Sequence, residues 1–298
     1  MDINIKKIPI FLHIPKNTGT YIHYKNMHLF RRYGLKMGWD KDPYEGSSWN
    51  LKLNMISVVF KNKKVLSLFV YDNYNILKNN KNFNNTSDHE STIELYPFLY
   101  ELLNNKLEIF SMVVASNGFN MMSKLNFDGL NVSDYICKII KRQPVYYTIF
   151  RDCFSRTVSM YNYLNSYTSK HEPTYKKIIY NSFEEYIKSH QLEDSWLIRQ
   201  LSGIPDKESI NEECFNNSCN ILNRVKIADV KNVEEIFENV FKECYDVDDI
   251  IKNVEGEYYN KNSSEGVKID FDTLDEDIKN IFLNRTVFER RLYNKYIV

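Results

Sequence analysis

An apolar run of strand length, Ile8–Ile14 (IPIFLHI), is broken at Pro15, passes through the short loop Lys16–Thr20 (KNTGT) and enters a helical pattern over Tyr21–Tyr33 that stops at Gly34. A strand joined so tightly to a helix is the first half of a βαβ unit, and such units build parallel sheets with helices laid over their faces. The arrangement recurs. Pro144–Phe150 (PVYYTIF) reads as a central strand whose polar end, Arg151–Asp152, leads straight into a helix over Ser155–Tyr167. Glu108–Ala115 (EIFSMVVA) reads as another buried strand. These segments predict an α/β protein with a mostly parallel central sheet flanked by helices.

Met55–Phe60 and Val65–Tyr71 are β-rich runs separated by Lys61–Lys64, which predicts a hairpin. With the Asn-rich stretch Asn79–Ser87 they make an inserted hairpin and flexible loop at 50–90. Helices are predicted over Ser91–Leu107, Val132–Lys141, Phe183–Ser189, Leu192–Ser202, Val233–Tyr245 and Leu274–Lys295, with a polar loop over Gly256–Gly266. No repeat and no composition break divides the chain, so its 298 residues are read as a single domain over 1–298.

Composition removes several function classes. Hydrophobic residues make up 43% of the chain, too many for a disordered one. Lys plus Arg and Asp plus Glu balance at 39 each, which argues against a non-specific nucleic-acid coat, and no nucleic-acid partner is expected. Cys137, Cys153, Cys214, Cys219 and Cys244 form neither a CxxC pair nor a zinc-spaced cluster, so no metal is expected. Cys214 and Cys219 either meet in a loop or are separate reduced thiols. There is no signal-type apolar region near Met1 and no stretch long enough to span a membrane; a soluble, cytoplasmic chain is expected.

Both strand-to-helix junctions set a cation beside small polar residues. In Lys16–Thr20, Gly19 permits tight backbone passage, while Asn17, Thr18 and Thr20 offer donors. The amides at the next helix start point to the same place, and such a terminus binds anions. The other reading is a capped helix with a solvated Lys. The loop is not a Walker A motif, which needs GxxxxGK[ST]. In Ile149–Tyr161 (IFRDCFSRTVSMY), Arg151 ends the strand and Arg156 and Ser159 share the helix. An Arg fork with a hydroxyl suits a phosphate monoester; an Arg151–Asp152 salt-bridge network is the structural alternative. Two such junctions in one unit point to a ligand with anionic groups at both ends.

Phe11–Thr20 (FLHIPKNTGT) resembles the opening signature of Golgi-type carbohydrate sulfotransferases, including the uronyl 2-O and chondroitin/dermatan enzymes. Tyr147–Tyr163 (YTIFRDCFSRTVSMYNY) resembles their second signature, and Arg199–Gly203 (RQLSG), after Asp194, and the tail Phe282–Tyr293 follow in the family's order. The resemblance implies a P-loop-NTPase-like sulfotransferase fold binding 3'-phosphoadenosine 5'-phosphosulfate without a metal. Carried over, Lys16 and the amides of Asn17, Thr18, Gly19 and Thr20 hold the 5'-phosphosulfate, and Lys16 is catalytic. Arg151 and Ser159 hold the 3'-phosphate, with Arg156 either a helper or an anchor of its helix. The loop Tyr258–Lys268, whose Lys261, Gly266 and Lys268 make a basic edge, either closes over the nucleotide, as a late loop near the same phosphate does in the resembling enzymes, or is a surface turn. The acceptor is a glycan or another small hydroxylated molecule. Members usually carry a membrane anchor that is missing here, and Met1 favours a cytosolic relative over a trimmed catalytic domain.

The pattern departs from the family at one point. A Gly-His pair after the middle strand often supplies the general base there, and the matching residues are Ser116–Asn117. Asn cannot take a proton at neutral pH. Replacements are His89, Glu90 and Glu94, whereas His13 is read as packed beneath the loop and His23 and His28 fall in the first helix. Tyr161, Tyr163 and Tyr167 line either the acceptor site or the core. The loss of the His also fits a binding protein without turnover. A kinase is disfavoured by the missing Walker residues and Mg²⁺ partner.

Overall fold

Apolar side chains dominate Lys7–His13 (β1), Leu107–Ala115 (β4) and Gln143–Phe150 (β5), and both faces of these strands are buried, as central strands of a doubly covered sheet require. In the computed structural model, residues 6–14, 17–36, 55–60, 63–71, 103–104, 107–115, 130–165, 180–189, 195–202, 209–245 and 266–298 are described. With Met55–Phe60 (β2), Lys63–Tyr71 (β3) and Val225–Asp229 (β6), the described strands form one sheet in the order β2-β3-β4-β1-β5-β6. β2 and β3 are antiparallel, the predicted hairpin; the other neighbours pair in parallel. The mixed α/β architecture with a mostly parallel, helix-flanked sheet is as expected.

The period of two along β1 and β5 separates two cores. Ile8, Ile10, Leu12, Tyr146 and Phe150 face Val132–Ile140 (α2), Trp196–Ser202 (α5), Glu212–Leu222 (α6) and Val287–Tyr296 (α9). Phe11, Val145, Tyr147 and Ile149 face Gly19–Lys36 (α1) and Val233–Tyr245 (α7). A third cluster joins Cys153–Asn165 (α3), Phe183–Lys188 (α4) and Glu276–Arg285 (α8) through Tyr161, Phe183, Tyr186 and Phe282. β4 breaks the alternation. The register against β3 jumps from Ile109 to Ser111, leaving Phe110 as a bulge. Phe110 then lies in the α1 core, and the next residue, Ser111, also turns to α1, its hydroxyl accepting from Asn26 Nδ2 at 2.8 Å.

Several elements differ from expectation. α1 continues through Gly34 to Lys36, because packing of Leu29, Phe30 and Tyr33 outweighs the roughly 1 kcal/mol that an interior Gly costs. The tail is two helices, not one, broken at Thr286, whose amide and hydroxyl both donate to the Phe282 carbonyl. Leu107 starts β4 rather than ending a helix, and the predicted helix at 91–107 otherwise falls outside the described residues apart from Leu103 and Asn104. Cys214 and Cys219 lie on one helix, α6, and all five cysteines are buried free thiols. Among the described residues no helix is long and apolar enough to cross a membrane.

Candidate functional site

The chain leaves β1 toward β3 and β4 and leaves β5 toward β6, so the loops at the C-terminal ends of β1 and β5 depart in opposite directions. Open α/β sheets carry their binding crevice at such a reversal. The ladder between these strands also ends early. β1 pairs with β4 as far as His13, but with β5 only from Lys7 to Phe11. Beyond Phe11 side chains take over the backbone acceptors. Thr148 Oγ1 donates to the Leu12 carbonyl at 2.8 Å, and Asn17 Nδ2 donates to the Ile149 carbonyl at 2.9 Å. These bonds bring together the two junctions that the sequence singled out.

The β1 loop is tightly wound. The Asn17 amide donates to Ile14 O at 3.1 Å, closing a turn within the loop. Thr18 has a φ of 61°, the left-handed region, and its hydroxyl donates to Asn17 O at 2.6 Å. The first helical bond runs from Ile22 N to Thr18 O, leaving the amides at the start of α1 ahead of any intrahelical partner. His13 lies under this turn, as expected: a Cβ at Gly19 would come within 1.9 Å of His13 Nε2. Lys16 lies outside the described residues, as does the side chain of Thr20.

That contact gives a first prediction. Gly19→Ala should destabilise the chain by about 1–3 kcal/mol through overpacking. In a His13→Ala background the same change should be neutral or slightly stabilising, because Ala is the better helix residue. Denaturant unfolding of the four proteins measures this; an equal loss in both backgrounds would show that the ring is not the obstacle.

At the second junction Arg151 follows β5 and is half-buried; desolvation lowers its pKa, partly offset by Asp152. Asp152 caps α3, accepting from Ser155 N at 2.8 Å, while its carbonyl accepts from Arg156 N. The junction thus uses Asp152 to start the helix. Ser159 is half-buried two turns along α3. Arg156 points elsewhere. It is buried with Glu289 of α9, with Nε and Nη2 2.8 and 2.7 Å from Oε1, which makes it the anchor of its helix. Tyr161 belongs to the core, packed on Phe183 and Tyr186.

The late segment meets the same helix. Asn162, one turn beyond Ser159, donates to Val267 O at 3.2 Å, and a Cβ on Gly266 would come within 2.3 Å of the Asn162 amide. Lys268 is exposed. Lys261, Tyr167, Asn117 and the base candidates His89, Glu90 and Glu94 all lie outside the described residues, and the His23 side chain is likewise undescribed. His28 is half-buried on α1.

Sequence reasoning named Asn17 as a donor to the ligand but not as a bridge, and it passed over Thr148, because neither residue type at these positions announces a link between strands. Among the described residues no group of His, Cys, Asp or Glu is placed to hold a metal ion. A separate cleft of about 390 Å³ runs beside β6, lined by Ile227, Asp229, Ile236, Tyr296 and Ile297 among others, at the strand edge away from β1. No protein-family model matches the chain, and no curated protein matches it.

Proposed function

We propose that the chain is a sulfotransferase of P-loop-like fold that binds 3'-phosphoadenosine 5'-phosphosulfate across the β1/β5 crevice and sulfates a hydroxyl, that of a glycan or small alcohol. The observation that carries this reading is the Asn17–Ile149 bond, which ties together two loops separated by 132 residues in the chain, each bearing one of the two anion-binding patterns. The strand order supports it, since the reversal falls between the same two strands. The resemblance of Phe11–Thr20 and Tyr147–Tyr163 to sulfotransferase signatures names the ligand.

The residues present fit a nucleotide with two anionic groups. The amides that open α1 and Lys16 suit the 5' end, and Arg151 with Ser159 suits the 3'-phosphate. Bound there, the nucleotide supplies an activated sulfuryl group. Lys16, next to Asn17 in the chain, is the cation proposed to meet the negative charge that grows on the departing oxygen. His89, Glu90 and Glu94 are the candidates to take the proton from the acceptor hydroxyl. Asn117, standing where the resembling enzymes carry a His, favours a second reading, a binding protein of the same fold without turnover.

Arg151→Ala should weaken adenosine 3',5'-bisphosphate roughly ten- to hundred-fold while leaving adenosine 5'-phosphate nearly unchanged, the value of one charge-assisted contact. Titration calorimetry with both ligands decides it; equal weakening would make Arg151 structural. A screen of glycans and small alcohols with labelled sulfate donor separates the two readings. Binding without product would favour the second.

A further inference from the structure

We infer that Asn17 is a positioning residue that fixes the separation of the two junction loops and so makes the crevice select ligands carrying two anionic groups over ligands carrying one. The inference rests on the nucleotide reading above. Beyond Phe11 the β1/β5 ladder has ended, and two side-chain bridges follow it: Thr148 to Leu12, then Asn17 to Ile149. Asn17 makes the outer bridge. It belongs to the β1 loop itself, and its acceptor is two residues before Arg151.

The orientation of the Asn17 amide is set by its partner, because a carbonyl oxygen accepts only from the NH₂ side. Its Oδ1 is then left buried, with no hydrogen-bond partner among the described residues, in a residue only 1% exposed. A buried acceptor without a donor is unfavourable. The side chain therefore combines one favourable bond with one unfavourable group, so folding stability alone does not account for it. What the bond does is hold the loop to the strand. That is the behaviour of a residue that spaces other groups.

Spacing matters only to a ligand that must reach both loops. Once one anionic group is bound, the second meets its loop at a high effective concentration if the two are held at the matching distance, and at a much lower one if they move independently. A ligand with one anionic group feels no such difference. Removing the Nδ2 bond should thus reduce the gain from the second phosphate while sparing the first.

The test is titration of wild type, Asn17→Ala, Asn17→Asp and Thr148→Val with adenosine 3',5'-bisphosphate and with adenosine 5'-phosphate, alongside thermal melting. Wild type should prefer the bisphosphate by roughly ten- to hundred-fold. Asn17→Ala, which lacks the donor, should fall to a preference within about three-fold, with adenosine 5'-phosphate affinity changed by less than about three-fold; Asn17→Asp should lose the preference as well, and its added negative charge should weaken both ligands. Thr148→Val removes the inner bridge only and should keep the preference. An Asn17→Ala protein that keeps the wild-type preference, weakens both ligands equally or fails to fold overturns the inference. If wild type itself shows no preference, the nucleotide reading fails first. A selective wild type with an equally selective Asn17→Ala sinks the positioning role alone.

Discussion

Glu289→Ala should cost about 3–5 kcal/mol of folding stability, because it strands the Arg156 guanidinium inside the protein. Arg156 and Glu289 are 4% and 3% exposed, so water cannot replace the lost partner. The carboxylate uses both oxygens. Oε1 accepts from Arg156 Nε and Nη2, and Oε2 lies 3.4 Å from the Leu197 amide near the start of α5. The Arg156 guanidinium also stacks over the Trp196 ring, 5.1 Å from its centre. One ion pair thereby joins α3, α5 and α9. In the intact pair burial pulls the Arg156 pKa down, but Glu289, Cys153 and Tyr186 raise it and leave it above its ordinary value. Without Glu289 the guanidinium still keeps its charge, as arginine does in proteins, so the variant has no escape through deprotonation. Arg156→Met with Glu289→Leu should recover most of the loss, since a buried pair replaced whole by apolar groups is often neutral or better. Denaturant unfolding of both singles and the double measures this. A Glu289→Ala loss below about 1 kcal/mol would mean that the pair is hydrated.

The same pair explains why the sequence left Arg156 open between two roles. An Arg one turn into a helix after Arg151–Asp152 looks like a second phosphate ligand, and its partner is 133 residues away in a tail whose helical pattern gave no sign of inward-facing charge. Local patterns revealed what local physics fixes. β1, β5 and α7 were legible because apolar runs bounded by breakers, or a strong helical period, leave few alternatives. α6 and β6 were not. α6 opens on an Asn211 cap that accepts from Cys214 N, followed by Glu212 and Glu213, a start signal. Its buried face is Cys214, Phe215, Ser218, Cys219 and Leu222, too mixed to stand out from its polar surroundings. β6 spans only Val225–Asp229 and alternates Lys226 with apolar neighbours. Only its pairing with β5 makes it a strand.

Of the site, the two loops were legible and their meeting was not. Nothing in KNTGT says that Asn17 turns its side chain toward a strand, because Asn suits a turn, a cap or a bridge equally well. The Asn17 amide also closes a turn onto Ile14 O, where the chain reverses before Thr18 takes up its left-handed conformation.

Lys16→Ala should lower turnover at saturating donor by about a hundred-fold with a smaller change in nucleotide affinity. Lys16 stands between Pro15, which restrains Ile14 to extended backbone, and Asn17, whose side chain is bonded to β5. Both flanks of a single flexible cation are thus constrained. If Lys16 only attracted the anion, its removal would raise the apparent donor constant and leave the saturated rate alone. Charge on the departing oxygen is complete only as the reaction proceeds, so a cation that meets it there acts on the rate. Lys16→Arg should rescue in part, since a planar fork does not reproduce a compact ammonium in so tight a turn. The measurement is a single-turnover rate at saturating labelled donor, with an acceptor taken from the glycan and alcohol screen, for wild type and both variants, with folding checked by melting. A folded Lys16→Ala protein that turns over at the wild-type rate would take Lys16 out of the chemistry and leave the crevice a place of binding alone.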